Sequence, residues 1–308
     1  MTQTQTQTQT QTVHIQSTKD LGLPIHTALQ EQIRASQSGP ATFEVVLAPG
    51  IYEGTALSLR DGSDESNLEI VVRGAGPEPT IFKSPIQIHA ARIRLENLVI
   101  ADTIVGLPVT IFEVGDSLQI NGVSWVDNRH EEPNIGDPIV AIKVGYSGGP
   151  KDITVTDTWF VGNDNGGQSN LIDMKTLRSG IVSSLRFKNS VFIDNHCSVI
   201  VNPESFEEVT FDQTMIHETT SGAFLWIRSP GTQARFNGGL FAYGGGGTAI
   251  QYQRSQSVAP SDFHAAVFSD IVPTLTDAKS NSGLVSYAEQ QARIGAKPDR
   301  STLEKSLN

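Results

Sequence analysis

Two groups of residues in this 308-residue chain have the types and spacing for proton chemistry. The first emerges when five apolar segments are aligned: PIVAIKVG, SNLIDMKT, CSVIVN, AFLWIRS and TAIQYQR. Lys143, Lys175, Asn202, Arg228 and Arg254 then share one row, with Asp173 and Trp226 two positions earlier on the same face. In a chain of formal net charge −11, such a cationic stripe points to an acidic ligand. Lys143 and Arg254 would bind carboxylates, and Trp226 would stack on a sugar ring. Neighbouring cations favour a neutral amine at Lys175, which makes it a candidate proton abstractor with Asp173 beside it. A solvated row of paired charges is the plainer reading of the same residues.

The second group follows a different strand, where the loops begin. It comprises Asp102; Asp127, Asn128, Arg129 and His130; Asn163 and Asp164; Asp194, Asn195 and His196; His217 and Glu218; and Tyr243. His196 and His217 are the candidate acid–base residues, and His130 and Tyr243 would line the substrate. Carboxylates on successive turns of a stacked structure would also stand near glycosidase separations. Asp-Asn at a strand end is equally ordinary turn chemistry. Carboxylates with Asn oxygens would suit Ca²⁺, but no calcium motif is complete, so no cofactor is expected.

Both groups work only if distant segments are stacked side by side, and a repeat supplies the means. IRLENLVIAD, LQINGVSWVDN, ITVTDTWFVGN, LRFKNSVFIDN, VTFDQTMIHET and ARFNGGLFAYG align on corner residues Asn97, Gly122, Asp157, Asn189, Gln213 and Gly238, at spacings of 25, 35, 32, 24 and 25. Each unit is a strand, a polar corner, a second strand and a further apolar segment. That is the content of one turn of a parallel coil, whose equivalent strands lie about 4.8 Å apart. Corners of Asn, Asp, Gln and Gly suit left-handed backbone.

Upstream, FEVVLAPGIYEGTALSL (Phe43 to Leu59), LEIVVRGAGPEPTIF and IRLENLVIAD give the order strand, Gly-rich turn, strand, Asn corner. This run resembles the opening coil of the pectate-lyase-like, right-handed parallel β-helix superfamily, and the resemblance covers about Glu44 to Val272. It implies an all-β fold: a right-handed single-stranded parallel β-helix of about eight coils. The superfamily's polysaccharide lyases abstract a proton beside a uronate carboxyl with Lys or Arg, which implies Lys175 or Arg228 here. WIRSPGTQARF (Trp226 to Phe236) is loosely similar to the Arg-x-Pro-x-x-Arg of pectate lyases, with a different spacing between Arg228 and Arg235. The Gly-His-Gly and paired-Asp signatures of polygalacturonases are missing.

The ends of such a stack need covers. Leu23, Ile25, Leu29 and Ile33 predict an amphipathic capping helix over Leu23 to Ala35, and Leu284 to Ala296 has helix-forming composition. The expected organisation is a disordered Thr/Gln-rich tail over 1–20, a β-helix over 21–272 and a partly helical extension over 273–308. A single cysteine, Cys197, precludes an intrachain disulfide. The acidic balance speaks against nucleic acid and membranes as partners, and no apolar run is long enough to span a bilayer. Without a signal-like start the expected location is cytoplasmic.

The function expected is a carbohydrate-active lyase or epimerase on a uronate-type substrate. The alternatives are an intracellular lyase, isomerase or cyclase acting on a small biosynthetic intermediate, and a non-catalytic carbohydrate-binding β-helix. Oligomeric state is not legible in the sequence.

Overall fold

The computed structural model describes residues 8–61, 67–106, 108–131, 137–144, 152–167, 169–176, 182–204, 206–219, 223–227, 232–243, 248–252, 262–264 and 267–269. All strand pairings among them are parallel and join a strand to its equivalent one unit away, a pattern compatible with a β-helix-like solenoid. Three faces alternate along the chain. In one unit the first face holds Asp152–Thr156, the second Trp159–Val161 and the third Asn170–Thr176. The first and third faces form one 16-stranded sheet, because Ile86–Glu96 and Thr110–Asn121 run through both; the second face is a nine-stranded sheet.

Corners between the first and second faces lie at the six predicted residues. Asn97, Gly122, Asp157, Asn189, Gln213 and Gly238 all have φ between 49° and 69°. Side chains other than glycine pay for this backbone, Asn and Asp least. A second line of left-handed corners, Asp102, Asp127, Gly162 and Asp194, follows the second face. At Gly122 a Cβ would lie 2.7 Å from Asn97 Oδ1, so a larger residue there would have to displace that side chain as well as adopt the left-handed backbone.

Alternation along each strand sends apolar side chains inward, and the parallel register stacks like upon like. Trp125, Phe160 and Phe192 are in register on the second face, with ring centroids 4.9 and 4.8 Å apart and planes within 4°. Phe187, Phe211 and Phe236 form a similar pile on the first face, at 5.2 and 5.1 Å. These spacings match the strand separation, so each ring rests on the one in the next rung.

At one end the helix Leu23–Ser36 covers the stack as predicted, burying Ile25, Leu29 and Ile33. Its buried Gln32 donates from Nε2 to the backbone oxygens of Gln9 and Thr42, satisfying groups that the cap seals from water. The Thr/Gln tail, expected to be disordered through residue 20, instead contributes the strand Gln9–Ile15, paired to Ala41–Leu47, and a short 3-10 turn at Thr18–Asp20. A parallel partner in register stabilises a sequence whose composition alone favours disorder. The predicted helix at Leu284 to Ala296 lies outside the described residues. Among the described residues no helix is long and apolar enough to cross a membrane.

Candidate functional site

Outward residues of the third face form two rows. Arg60, His89, Glu113, Lys143 and Lys175 are in register on one. Lys143 and Lys175 are thus neighbours, as the segment alignment indicated. They do not form a bare cationic stripe. Lys143 Nζ is 3.0 Å from Glu113 Oε1, and Lys175 Nζ is 3.0 Å from Asp173 Oδ2. His89 lies 3.6 Å from the other oxygen of Glu113.

Asp173 and Asn202 are in register on the second row, and Trp226 follows on the next rung. Asn202 therefore belongs with Asp173, two positions from the lysine row where the alignment put it. The ladder is fixed by the inward pairs Ile172 with Val201 and Met174 with Pro203, and Pro203 has no counterpart in the segment pattern. Asp173 is buried and accepts from three donors. Its Oδ1 receives Asn170 Nδ2 at 3.0 Å and Asn202 Nδ2 at 2.6 Å, while Oδ2 faces Lys175. Arg228 and Arg254 lie outside the described residues.

The second group separates into five environments. Asp102, Asp127 and Asp194 are the left-handed corners, with Asp102 ion-paired to Lys83 at 2.9 Å. Asn128, Asn163 and Asn195 are fully buried and bond along the stack. Asn128 Nδ2 donates to Asn163 Oδ1, and Asn163 Nδ2 to Asn195 Oδ1, both at 2.9 Å. Each amide also donates to a main-chain oxygen of the preceding turn, so these residues hold the corner together.

Beyond the asparagines a short ladder runs through Ile104, Arg129, Asp164 and His196, each on the exposed or half-exposed side. His196 Nδ1 lies 2.9 Å from Asp164 Oδ1, which also accepts the Gly166 N–H at 2.8 Å. Because the carboxylate only accepts, this contact is a hydrogen bond when Nδ1 carries the proton, and in the neutral ring of that tautomer Nε2 keeps its lone pair. The ring packs over Gly167, where a Cβ would come within 2.8 Å of Nε2. The adjacent positions Val105, His130, Asn165 and Cys197 form an inner row. His130 is buried, with Nδ1 directed at the Val105 carbonyl at 3.2 Å, which makes it a part of the wall rather than an exposed substrate contact. Burial pushes the Cys197 thiol far up, so it is chemically quiet.

His217 lies in the strand Met215–Thr219, in register with Ile193 on the second face rather than with His196. Tyr243 ends the strand Leu240–Tyr243, opposite Thr219. Their side chains fall outside the described residues.

The segment from Asp164 to Lys175 joins the two clusters. Asn165 Nδ2 donates to the Asn170 carbonyl, and Asn170 Nδ2 to Asp173. Asn170 and Asp164 are functional candidates that the sequence reading left without a role. The signal available for Asp164 was its place one repeat before His196. Among the described residues no group of three or more His, Cys, Asp and Glu is placed to hold a metal ion. Comparison with protein-family models, curated proteins and solved structures finds no match for this chain.

Proposed function

We propose that this chain is a saccharide-directed enzyme built on a right-handed, single-stranded parallel β-helix of about eight coils, acting as a lyase or epimerase on a uronate-like substrate. The observation that carries this reading is the His196–Asp164 pair, at 2.9 Å with both side chains half exposed. A carboxylate that fixes the Nδ1 proton orients the ring and leaves Nε2 as the base, the relation found between orienter and base in acid–base sites generally. The C–H proton beside the uronate carboxyl would pass to Nε2. In a lyase the electron pair then forms a C=C bond and expels the glycosidic oxygen, which takes a proton from water; in an epimerase water on the opposite face supplies the new C–H proton and Nε2 later releases the one it took.

Arg129, one rung before Asp164, supports binding of the uronate carboxylate. Lys175 already has a carboxylate partner in Asp173, 3.0 Å away. That moves the base to His196 from Lys175, one of the two sequence-based choices; the other, Arg228, lies outside the described residues.

Incubation with a panel of polyuronates tests the proposal, by ultraviolet absorbance of an unsaturated product and by the uronate composition of the polymer. The expected result is product from the native chain and a loss of about 10²–10⁴-fold in His196→Ala with an unchanged circular dichroism spectrum. No product and no altered composition with any polyuronate would overturn it. One observation favours a non-catalytic saccharide-binding module: Lys143 and Lys175 each have a carboxylate partner within the protein. Binding without turnover would decide for that second reading.

A further inference from the structure

The outward side of the nine-stranded sheet is unlike the charged rows of the third face. One row runs through Ile81, Val99, Ser124, Trp159, Val191 and Met215 in register, and continues through the positions of Leu240 and Val267. The row beside it holds Ala101, Val126, Val161 and Ile193. Between the two rows lie Ile100, Trp125, Phe160 and Phe192, which belong to the core, so strand alternation places both rows outside it. No residue of either row on these rungs is charged, and Ile81, Ala101 and Val126 form a cluster of their own, separate from the core.

These outward side chains are nevertheless sealed. Ala101, Val126, Val161 and Ile193 are 1–4% exposed, and Met215 is 3% exposed. Valines on an uncovered sheet would keep their tips in water, and parallel sheets are normally covered on both sides. Every described strand belongs to the wall of the stack and the helix Leu23–Ser36 crosses its end, so no described element lies over this face. The stretches 132–136, 220–222 and 244–247, which follow this face within the stack, are tethered at both ends and too short to line nine rungs, about 38 Å. The chain leaves the last rung from this same sheet, at Val267–Ser269, with residues 270–308 still to come.

We propose that residues 270–308 turn back along the outward side of the nine-stranded sheet and cover it, with Leu284 to Ala296 as a helix lying on the apolar strip. At 100° per residue, Leu284, Val285, Tyr287, Ala288, Ala292 and Ala296 fall on one side of that helix, and Ser286, Glu289, Gln290 and Arg293 fall on the other. Thirteen helical residues span about 20 Å, or about four rungs. The 14 residues from 270 to 283 can reach any rung of the sheet when extended. The cover is part of the fold, and its apolar side has the same chemistry as the strip it meets.

Methyl NMR on the full chain with a nitroxide attached at Gln290→Cys, on the polar side of the helix, tests this. Cys197 is buried and stays unlabelled. The methyl signals of Val126, Val161 and Ile193 should be lost by broadening, and dilution with chain carrying neither nitroxide nor isotope should leave that loss unchanged. Leu284→Asp combined with Tyr287→Asp should restore the signals, whereas Ser286→Asp should not. The nitroxide result in the otherwise native chain decides whether or not the double variant folds. Intact signals from all three residues would overturn the proposal. Broadening confined to Leu225 and Ile227, near the last rungs, would overturn it by placing the segment over the open end of the stack. Broadening that fades on dilution would overturn it by assigning the face to a second copy of the chain.

Discussion

Replacing Asn163 with alanine should destabilise the protein far more than any exposed corner substitution. The side chain is fully buried and makes four hydrogen bonds. Oδ1 accepts the Asn128 backbone N–H at 3.2 Å and Asn128 Nδ2 at 2.9 Å, while Nδ2 donates to the Trp125 carbonyl and to Asn195 Oδ1, both at 2.9 Å. At about 1 kcal/mol net for each bond, and with water excluded from the partners left behind, the expected loss is about 4 kcal/mol. The matched control is Asn189→Ala, at an exposed corner with φ of 49° and one side-chain bond to Asp157 at 3.0 Å; its cost should be about 1 kcal/mol. Urea unfolding followed by circular dichroism reads both. With a slope of about 3 kcal/mol per molar urea, Asn163→Ala should lower the midpoint by about 1.3 M and Asn189→Ala by about 0.3 M. Equal, small shifts in the two variants would refute the reasoning, because they would mean that the amide column does not hold the corner.

Two further expectations follow from the packing and the charges. Phe160→Ala removes the middle ring of the Trp125–Phe160–Phe192 pile and should cost about 3–5 kcal/mol in the same assay, whereas Phe160→Leu should cost clearly less. Glu44 is hydrogen-bonded by the Arg73 guanidinium at 2.7 Å, which holds its carboxyl below the usual carboxylate range. A depressed folded-state value stabilises the protein above the ordinary glutamate pKa of about 4.3, and that contribution disappears as pH falls through the lowered value. The stability difference between the native chain and Arg73→Met should therefore be full near neutrality and vanish in acid, as read from thermal melts across that range. A difference that persists in acid would assign the effect to packing instead.

The fold was largely legible because stacked parallel strands write their geometry repeatedly. Each of the six corner residues inferred from the repeat has left-handed backbone; five are Asn, Asp or Gly, which accept it at least cost, and the sixth is Gln213. The capping helix was legible from Ile25, Leu29 and Ile33, which share its buried face, whereas Leu23, counted with them, is exposed. The site was less legible. Lys143 and Lys175 were matched correctly, but Asn202 was misplaced by two positions, because an outward row carries no pattern of its own and inherits its register from the inward residues. Asn163 and Asn195 look like turn residues in the sequence; only the bonding along the stack reveals them as a buried column. The pairing of His196 with Asp164 needed the ladder as well. The two residues are 32 positions apart and meet because loops of one repeat are laid directly over the next.

The most direct test of the functional account is the protonation pattern of His196, read by long-range ¹H–¹⁵N NMR on the neutral ring. The account predicts a proton on Nδ1, shared with Asp164, and an unprotonated Nε2, with Asp164→Ala abolishing that preference. A ring protonated on Nε2 in the native chain would contradict it, because no lone pair would then be available to receive a proton from the substrate.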